Sequence, residues 1–379
     1  MSIFRHRIIL TVFLAFASCQ AAFSQGGVWD PWQWSKDITR WPAHQTQSDS
    51  VTLFFIGDVM MHSSQIGRPL GPFLESLQSR AKNADAAIAN MEFTLAGKPH
   101  TGYPSFSAPD SVASYMASLG FNVFLCANNH ILDKGRKGLE RTISQYEAIP
   151  GVRFTGVSLS EKKDSLINPL ILRINGIRIA LINFTYGTNC GPAGGWPRVN
   201  YLRKDDILRA IARARRAGCD YIIALPHWGE EYKLRHNRSQ EETARWLAGN
   251  GIDLIIGTHP HVVQDSCIIR TGNGRKVPVF YSLGNAVSNM SATNTQLELA
   301  LTIKLKRHLM GQTTLESIRV EYLWCTRPGA LIGNYKTIPV AEYAGRRSEW
   351  LDPSDYDRML RSLENVKKYT NVSDNPPSL

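Results

Sequence analysis

From residue 51 onward, short apolar runs alternate with amphipathic stretches. Runs at residues 51–56, 86–89, 122–126, 177–182, 221–225, 254–256 and 279–281 predict buried strands. Between them, Asp110 is placed to cap a helix whose apolar face is Val112, Met116 and Leu119, with Gly120 ending it. A second helix is predicted over 205–217, with Ile207, Leu208 and Ile211 inward and Gly218 as the stop, and a third over 240–250. Strands that alternate with helices predict an α/β fold. Beyond about residue 290 the texture changes: 297–306 and 315–325 read as longer strands and 355–368 as a terminal helix. Arg209, Arg213 and Arg216 fall on one face of the second helix. Such a face is ordinarily solvated, and an anion-binding ridge is the alternative.

The first residues follow a different pattern. Arg5 and Arg7 precede an apolar run from residue 8 to 17, too short to span a membrane, and Ala22-Phe23-Ser24 offers a cleavage site. Residues 1–24 are therefore expected to be a signal peptide, which makes the protein exported, to the periplasm or the cell surface. Lipidation of Cys19 is the rival processing route and would anchor the chain to the envelope. Residues 25–50 carry Trp29, Trp32, Trp34 and Trp41 without regular spacing. They read as a leader packed irregularly on the domain, with an aromatic partner-binding arm as the alternative.

Composition narrows the picture. With 43% hydrophobic and 20% charged residues, the 379-residue chain is of ordinary globular type, not disordered, collagenous or coiled-coil. Loss of Arg5 and Arg7 lowers the net charge from +11 to +9. No base-stacking pattern accompanies that excess, so no nucleic-acid partner is expected. A polyanionic partner is compatible with it. Cys126, Cys190, Cys219, Cys267 and Cys325 show no C-x-x-C spacing, which argues against a zinc cluster or a disulfide framework. Cys126 and Cys267 read as small buried hydrophobes.

The chemistry lies at the strand ends. Several predicted strands run straight into a metal-ligand type of residue: Asp58 with His62 nearby, then Glu92, then Asn129-His130 with Asp133, then His227, then His259-Pro260-His261, and finally Asn285. In α/β sheets, sites gather at the carboxyl ends of strands. One histidine in such a place is usually a satisfied structural residue. Five of the ten, beside Asp58, Glu92 and Asn129, read instead as a metal centre. Imidazole, carboxylate and amide donors without thiolate suit a divalent Mn, Zn, Fe or Mg ion, and two such ions would polarise a phosphoryl or carbonyl group and acidify water. Asp133, three residues after His130, is placed to orient that ring. Gly57, Gly229, Gly257 and Gly284 stand at strand ends, where backbone comes close. The chain has no Gly-x-Ser-x-Gly elbow, P-loop or Rossmann fingerprint, and Cys190 is the only candidate for an exposed thiol.

Six segments in order resemble the motifs of the CapA family, named for poly-γ-glutamate capsule synthesis. They are Gly57-Asp58-Val59-Met60, Asn90-Met91-Glu92, the stretch from Ala127 to Gly135, His227-Trp228-Gly229-Glu230-Glu231-Tyr232, the stretch from Gly257 to Gln264, and Tyr281-Ser282-Leu283-Gly284-Asn285. The resemblance spans about residues 51–290 and extends to calcineurin-like metallophosphoesterases. It implies a four-layer α/β/β/α sandwich around a two-metal site. It further implies that Asp58 and His261 bind the first metal, Glu92 bridges, and Asn129, His227 and His259 bind the second, with His130 as acid or charge stabiliser. The chain departs from the wider pattern at Met60, where a histidine is usual, and at Glu92, where an aspartate is usual. It departs within the family at Asp265 and Ala286. His62, two residues after Met60, is carried as a candidate ligand.

The chain thus divides into a signal peptide (1–24), a Trp-rich leader (25–50), a metallophosphatase-fold core (51–290) and C-terminal strands and helix (291–379). The expected role is in synthesis, transport or processing of an anionic capsule or envelope polymer, alongside other capsule-assembly proteins, by metal-dependent hydrolysis or transfer. Two alternatives stand: a non-catalytic polymer-binding component and an extracytoplasmic phosphoesterase.

Overall fold

A computed structural model describes residues 49–192, 194–309, 311–370 and 372. The signal peptide, Cys19 and the leader tryptophans lie outside the described residues.

In chain order the strands are β1 (Ser50–Val59), β2 (Ala86–Met91), β3 (Val123–Leu125), β4 (Arg153–Thr155), β5 (Val157–Ser158), β6 (Leu170–Ile174), β7 (Ile177–Thr185), β8 (Arg198–Val199), β9 (Tyr221–His227), β10 (Leu254–Ile256), β11 (Ser266–Arg270), β12 (Lys276–Phe280), β13 (Asn285–Val287), β14 (Leu297–Arg307), β15 (Thr313–Thr326) and β16 (Lys336–Pro339). The helices are α1 (Gln78–Asn83), α2 (Ser111–Ser118), α3 (Gly135–Glu147), α4 (Glu161–Ile167), α5 (Lys204–Arg216), α6 (Arg238–Gly249), α7 (Val340–Tyr343) and α8 (Pro353–Thr370).

Two mixed sheets dominate. The first runs β16-β15-β14-β1-β2-β3-β4, with β13 also paired to β1, and the second runs β11-β12-β10-β9-β7-β6. Strand alternation sorts the side chains. Leu53, Phe55, Ile88 and Leu301 of the first sheet share one buried cluster with Leu172, Ile179, Leu181 and Ile223 of the second, so the sheets pack face to face. The opposite face of the second sheet, with Ala180, Ile182, Ala224 and Val279, is covered by Ile207, Ile211 and Ala214 of α5 and Ala244 and Leu247 of α6. The outer face of the first sheet carries α3, whose Tyr146 ring sits 5.2 Å from that of Phe124. The result is the expected α/β/β/α sandwich. Tyr356, Met359 and Val366 of α8, which packs against β14 and β15, complete the core.

The C-terminal strands are central, not appended: β14 pairs antiparallel with β1 from Ser50↔Lys306 to Phe55↔Leu301. Parallel pairing of β1, β2 and β3, and of β7, β9, β10 and β12, sends the carboxyl ends of both sheets toward one edge.

Local expectations at Asp110, Leu208 and Cys267 are corrected. Asp110 precedes α2 but makes no capping bond. Its carboxylate is taken instead by Arg141 of α3, at 2.7 and 2.8 Å. Leu208 does not point inward; it is 39% exposed, while Ala210 and Ala214 fill the inner face of α5. The arginine face of α5 is solvated at Arg209 and Arg216, with Arg209 paired to Asp206, while Arg213 bonds Asp164 and the Asn168 carbonyl. Cys126 is buried, whereas Cys267 is only partly so, with its sulfur 3.7 Å from the Tyr281 hydroxyl. All five cysteines among the described residues are free thiols.

Candidate metal centre

The first carboxylate is aimed by a backbone irregularity. Along the β1–β2 pairing, Phe55 opposes Ile88 but Asp58 opposes Asn90, so one extra residue is accommodated in β1. Such a bulge re-aims the side chain beside it. The bulge is possible because Gly57 lacks a Cβ: one there would stand 2.0 Å from the Gly284 carbonyl oxygen. Asp58 is fully buried. Its Oδ1 accepts from Asn90 Nδ2 at 2.6 Å and its Oδ2 from the His259 amide at 3.2 Å.

The same edge collects the other strand ends. His227, closing β9, has Nε2 2.8 Å from Asn129 Oδ1 and Nδ1 2.9 Å from Thr258 Oγ1. The turn after β10 bends sharply, with φ of 103° at His259 and 58° at His261. Left-handed backbone at residues with a Cβ costs about 1–3 kcal/mol each and concentrates at functional sites. The turn sets both imidazoles against the cluster: the His259 ring lies 4.8 Å from that of His227 and 5.8 Å from that of His261. His261 Nδ1 is 2.9 Å from Asn285 Oδ1 on β13.

Glu92, just beyond β2, is the shared member. Donor atoms of Asp58, Glu92 and His227 lie within 4.8 Å of one another, and so do those of Glu92, His259 and His261. Both Glu92 oxygens and His259 Nδ1 are buried without a hydrogen-bond partner. Burial of an unpaired carboxylate is costly, and a cation removes that cost. The donor set therefore fits divalent metal.

Burial and neighbouring charges shift these groups in different directions. Burial, reinforced by Asp58 and Glu231, holds the Glu92 carboxyl well above its ordinary range. Burial and neighbouring histidines push His227 well below its usual value and His259 down to about 3. Both are thus neutral near pH 7, the form that binds metal. Burial alone would lower His261 too, but the adjoining Asp58 carboxylate raises it.

His130 and Asp133 form a separate pair on this rim. His130 Nδ1 lies 2.7 Å from Asp133 Oδ2, which also accepts from the Phe106 amide at 2.8 Å. The Phe106 ring meets His130 edge-on at 4.6 Å. His62 stands in neither donor group: its Nδ1 accepts from the Asn289 amide, its ring meets Phe106 at 5.3 Å, and burial lowers its pKa to about 4. Met60 is buried, with its amide bonded to the Val287 carbonyl.

Two buried residues gain a role only from the tertiary structure. Asn90 joins Asp58 to His227, its Nδ2 lying 3.3 Å from His227 Nδ1. Glu298, on β14, accepts from the Gly57 amide at 2.6 Å and so holds the bulge from behind. Its signal in the sequence is a lone acid inside the apolar run Leu297-Glu298-Leu299-Ala300-Leu301.

Residues 52–290 match the family model described as bacterial capsule synthesis protein PGA_cap. The chain is 27% identical over 270 residues to the capsule biosynthesis protein CapA of Bacillus anthracis, covering 67% of this chain and 64% of that one. It is 27% identical over 300 residues to the PGA biosynthesis protein CapA of Bacillus subtilis, covering 74% of each. Among solved structures, the NAD nucleotidase of Haemophilus influenzae aligns at a TM-score of 0.46 and 14% identity, over 86% of this chain and 64% of that one. With the family match extending over well over half of its length, the chain belongs to the bacterial capsule synthesis protein family PGA_cap.

Proposed function

We propose that this protein acts in capsule biosynthesis as an exported, metal-dependent protein that processes an anionic polymer of the poly-γ-glutamate type, by hydrolysis or transfer at an amide or phosphoester bond. The observation that carries the metal dependence is the set of orphaned buried donors, both Glu92 oxygens and His259 Nδ1, inside a cluster with Asp58, His227 and His261. The relatives named for capsule and PGA biosynthesis support the polymer class.

Asp58, Glu92, His227, His259 and His261 would hold the metal, with Asn129 beside His227. When bound, divalent cations supply Lewis acidity that polarises a phosphoryl or carbonyl group and acidifies water. The chain's own contribution is orientation and proton handling. Asp133 engages His130 Nδ1, which leaves Nε2 as the ring nitrogen that would first accept a proton and then, from the imidazolium, pass it to a leaving group. Export rests on the signal-peptide pattern of residues 1–24, with anchoring through Cys19 as the other route.

The test is incubation of purified protein with γ-linked polyglutamate and with phosphoesters, before and after chelation and reloading with Mn or Zn. The proposal expects product that disappears on chelation, returns on reloading and falls at least about a hundredfold in His130→Ala. A second reading, a non-catalytic polymer-binding component, is favoured by one feature: Met60, buried at the first motif, offers no imidazole there. Polymer binding without turnover in fully metal-loaded protein selects that reading.

A further inference from the structure

The loop between β9 and α6 does more than carry Glu231 toward the cluster. Glu230, Lys233, Leu234, Arg235 and Asn237 of this loop, with Tyr369 from the last turn of α8, line an open surface groove of about 440 Å³. Lys233 and Arg235 are exposed, and neither makes an ion pair among the described residues. Outside the lining, the Lys368 ammonium lies 5.3 Å from the Tyr369 ring. The one acid of the wall, Glu230, is engaged by Asn237 Nδ2 at 3.0 Å. With two cations to one carboxylate, the lining has a basic balance, and Tyr369 gives it an aromatic face.

The backbone beneath these cations is fixed. Gln264 Nε2 donates to the carbonyls of Lys233 and Arg235 at 2.9 and 3.2 Å. The Asp265 amide donates to the Leu234 carbonyl, and the Leu234 side chain packs on the core. Tyr232, at φ 67°, donates its amide to the Pro260 carbonyl, between the two turn histidines. Tyr232 alone separates Lys233 from Glu231, whose Oε1 is 4.0 Å from His261 Nε2. With the backbone already held, the ordering cost of binding falls on the two exposed side chains alone. A groove of this volume has room for more than a single small anion.

We propose that this groove is a subsite for a polyanionic chain, bearing carboxylates or phosphates, which Lys233 and Arg235 grip while a neighbouring part of the chain lies at the histidine cluster. The chain's passage to the cluster rests on the function proposed above; the subsite itself does not. Tyr369 lies outside the family-matched residues 52–290, so this wall is contributed by the C-terminal segment.

The test uses the full chain and fluorescence anisotropy at low ionic strength. The probes are a labelled γ-linked glutamate oligomer, the γ-linked glutamine oligomer of equal length, and a linear polyphosphate. The glutamate oligomer is expected to bind, the neutral one not, and added salt to weaken the complex. In the double variant K233E/R235E, affinity falls by about tenfold or more, with melting temperature and metal content unchanged. Tyr369→Ala, which alters the other wall, lowers affinity by a smaller factor. Binding of polyphosphate alone keeps the subsite and identifies phosphate chains as its ligand. Equal binding of the neutral oligomer, or wild-type affinity in a folded K233E/R235E, overturns the proposal, as does a wild-type protein that binds neither anion. Lys233- and Arg235-dependent binding in protein that takes up no metal keeps this inference and sinks the proposed function. Metal-dependent turnover without such binding does the reverse.

Discussion

His227 Nε2 and Asn129 Oδ1 lie 2.8 Å apart, and through that contact the end of β9 in one sheet meets the loop after β3 in the other. Each sheet supplies only part of the donor set, so the cluster exists only when the two pack. Asn129→Leu removes an oxygen from His227 without touching the core beneath. Metal affinity is expected to drop about 10–100-fold, as for other changes to groups that orient a ligand. Competition with a fluorescent chelator measures it; unchanged affinity contradicts the assigned contact.

Glu92 lies at the focus of the cluster and carries two unpaired buried oxygens. Glu92→Leu takes away the cost of burying that carboxyl. In chelator, the variant should melt at or above the wild-type temperature. In excess Mn or Zn, the order should reverse, because only the wild type gains stability from ligand binding. Thermal melts with and without metal check both halves.

Gly57→Ala brings a Cβ to 2.0 Å from a backbone oxygen of Gly284, where neither chain can yield cheaply. Destabilisation of about 3 kcal/mol is expected in urea unfolding. Gly71→Ala, which meets nothing within 4 Å, should stay within about 0.5 kcal/mol of wild type. Similar losses in both would show that the close approach is not the cause.

Leu301 on β14 is fully buried between the sheets. Leu301→Ala should cost about 2–5 kcal/mol and lower the single unfolding transition of the whole domain. A separate early transition confined to the C-terminal segment would contradict the central place of β14.

Asp110 and Arg141 give a pH signature. The guanidinium holds the carboxyl below its ordinary value of 3.8. A depressed folded-state pKa stabilises above the unfolded value and loses that contribution as pH falls through the folded one. With side chains 43% and 36% exposed, the pair is worth less than about 1 kcal/mol. The gap between wild type and Asp110→Asn should therefore be small at neutral pH and close in acid. A gap that widens in acid contradicts the pairing.

What the sequence reveals depends on the range of the cause. The sandwich is legible because each buried strand is an apolar run, and the run itself is the local signal. Asp58, Glu92, His227, His259 and His261 stand out because each ends such a run. Asn90 and Glu298 do not, since their roles arise from partners 137 and 241 residues away. Asp110 misleads for a related reason: next to a helix start it looks like a cap, but a distant arginine claims it. Leu208 misleads because α5 fills its inner face with alanines, and no count of apolar positions reveals which of two adjacent residues faces the sheet.

Metal content of the purified wild-type chain, measured by inductively coupled plasma mass spectrometry after loading and dialysis, tests the central claim most directly. The account predicts at least one tightly held divalent ion per chain, sharply reduced in His259→Ala. Wild-type protein that retains no divalent metal under any loading condition would contradict it.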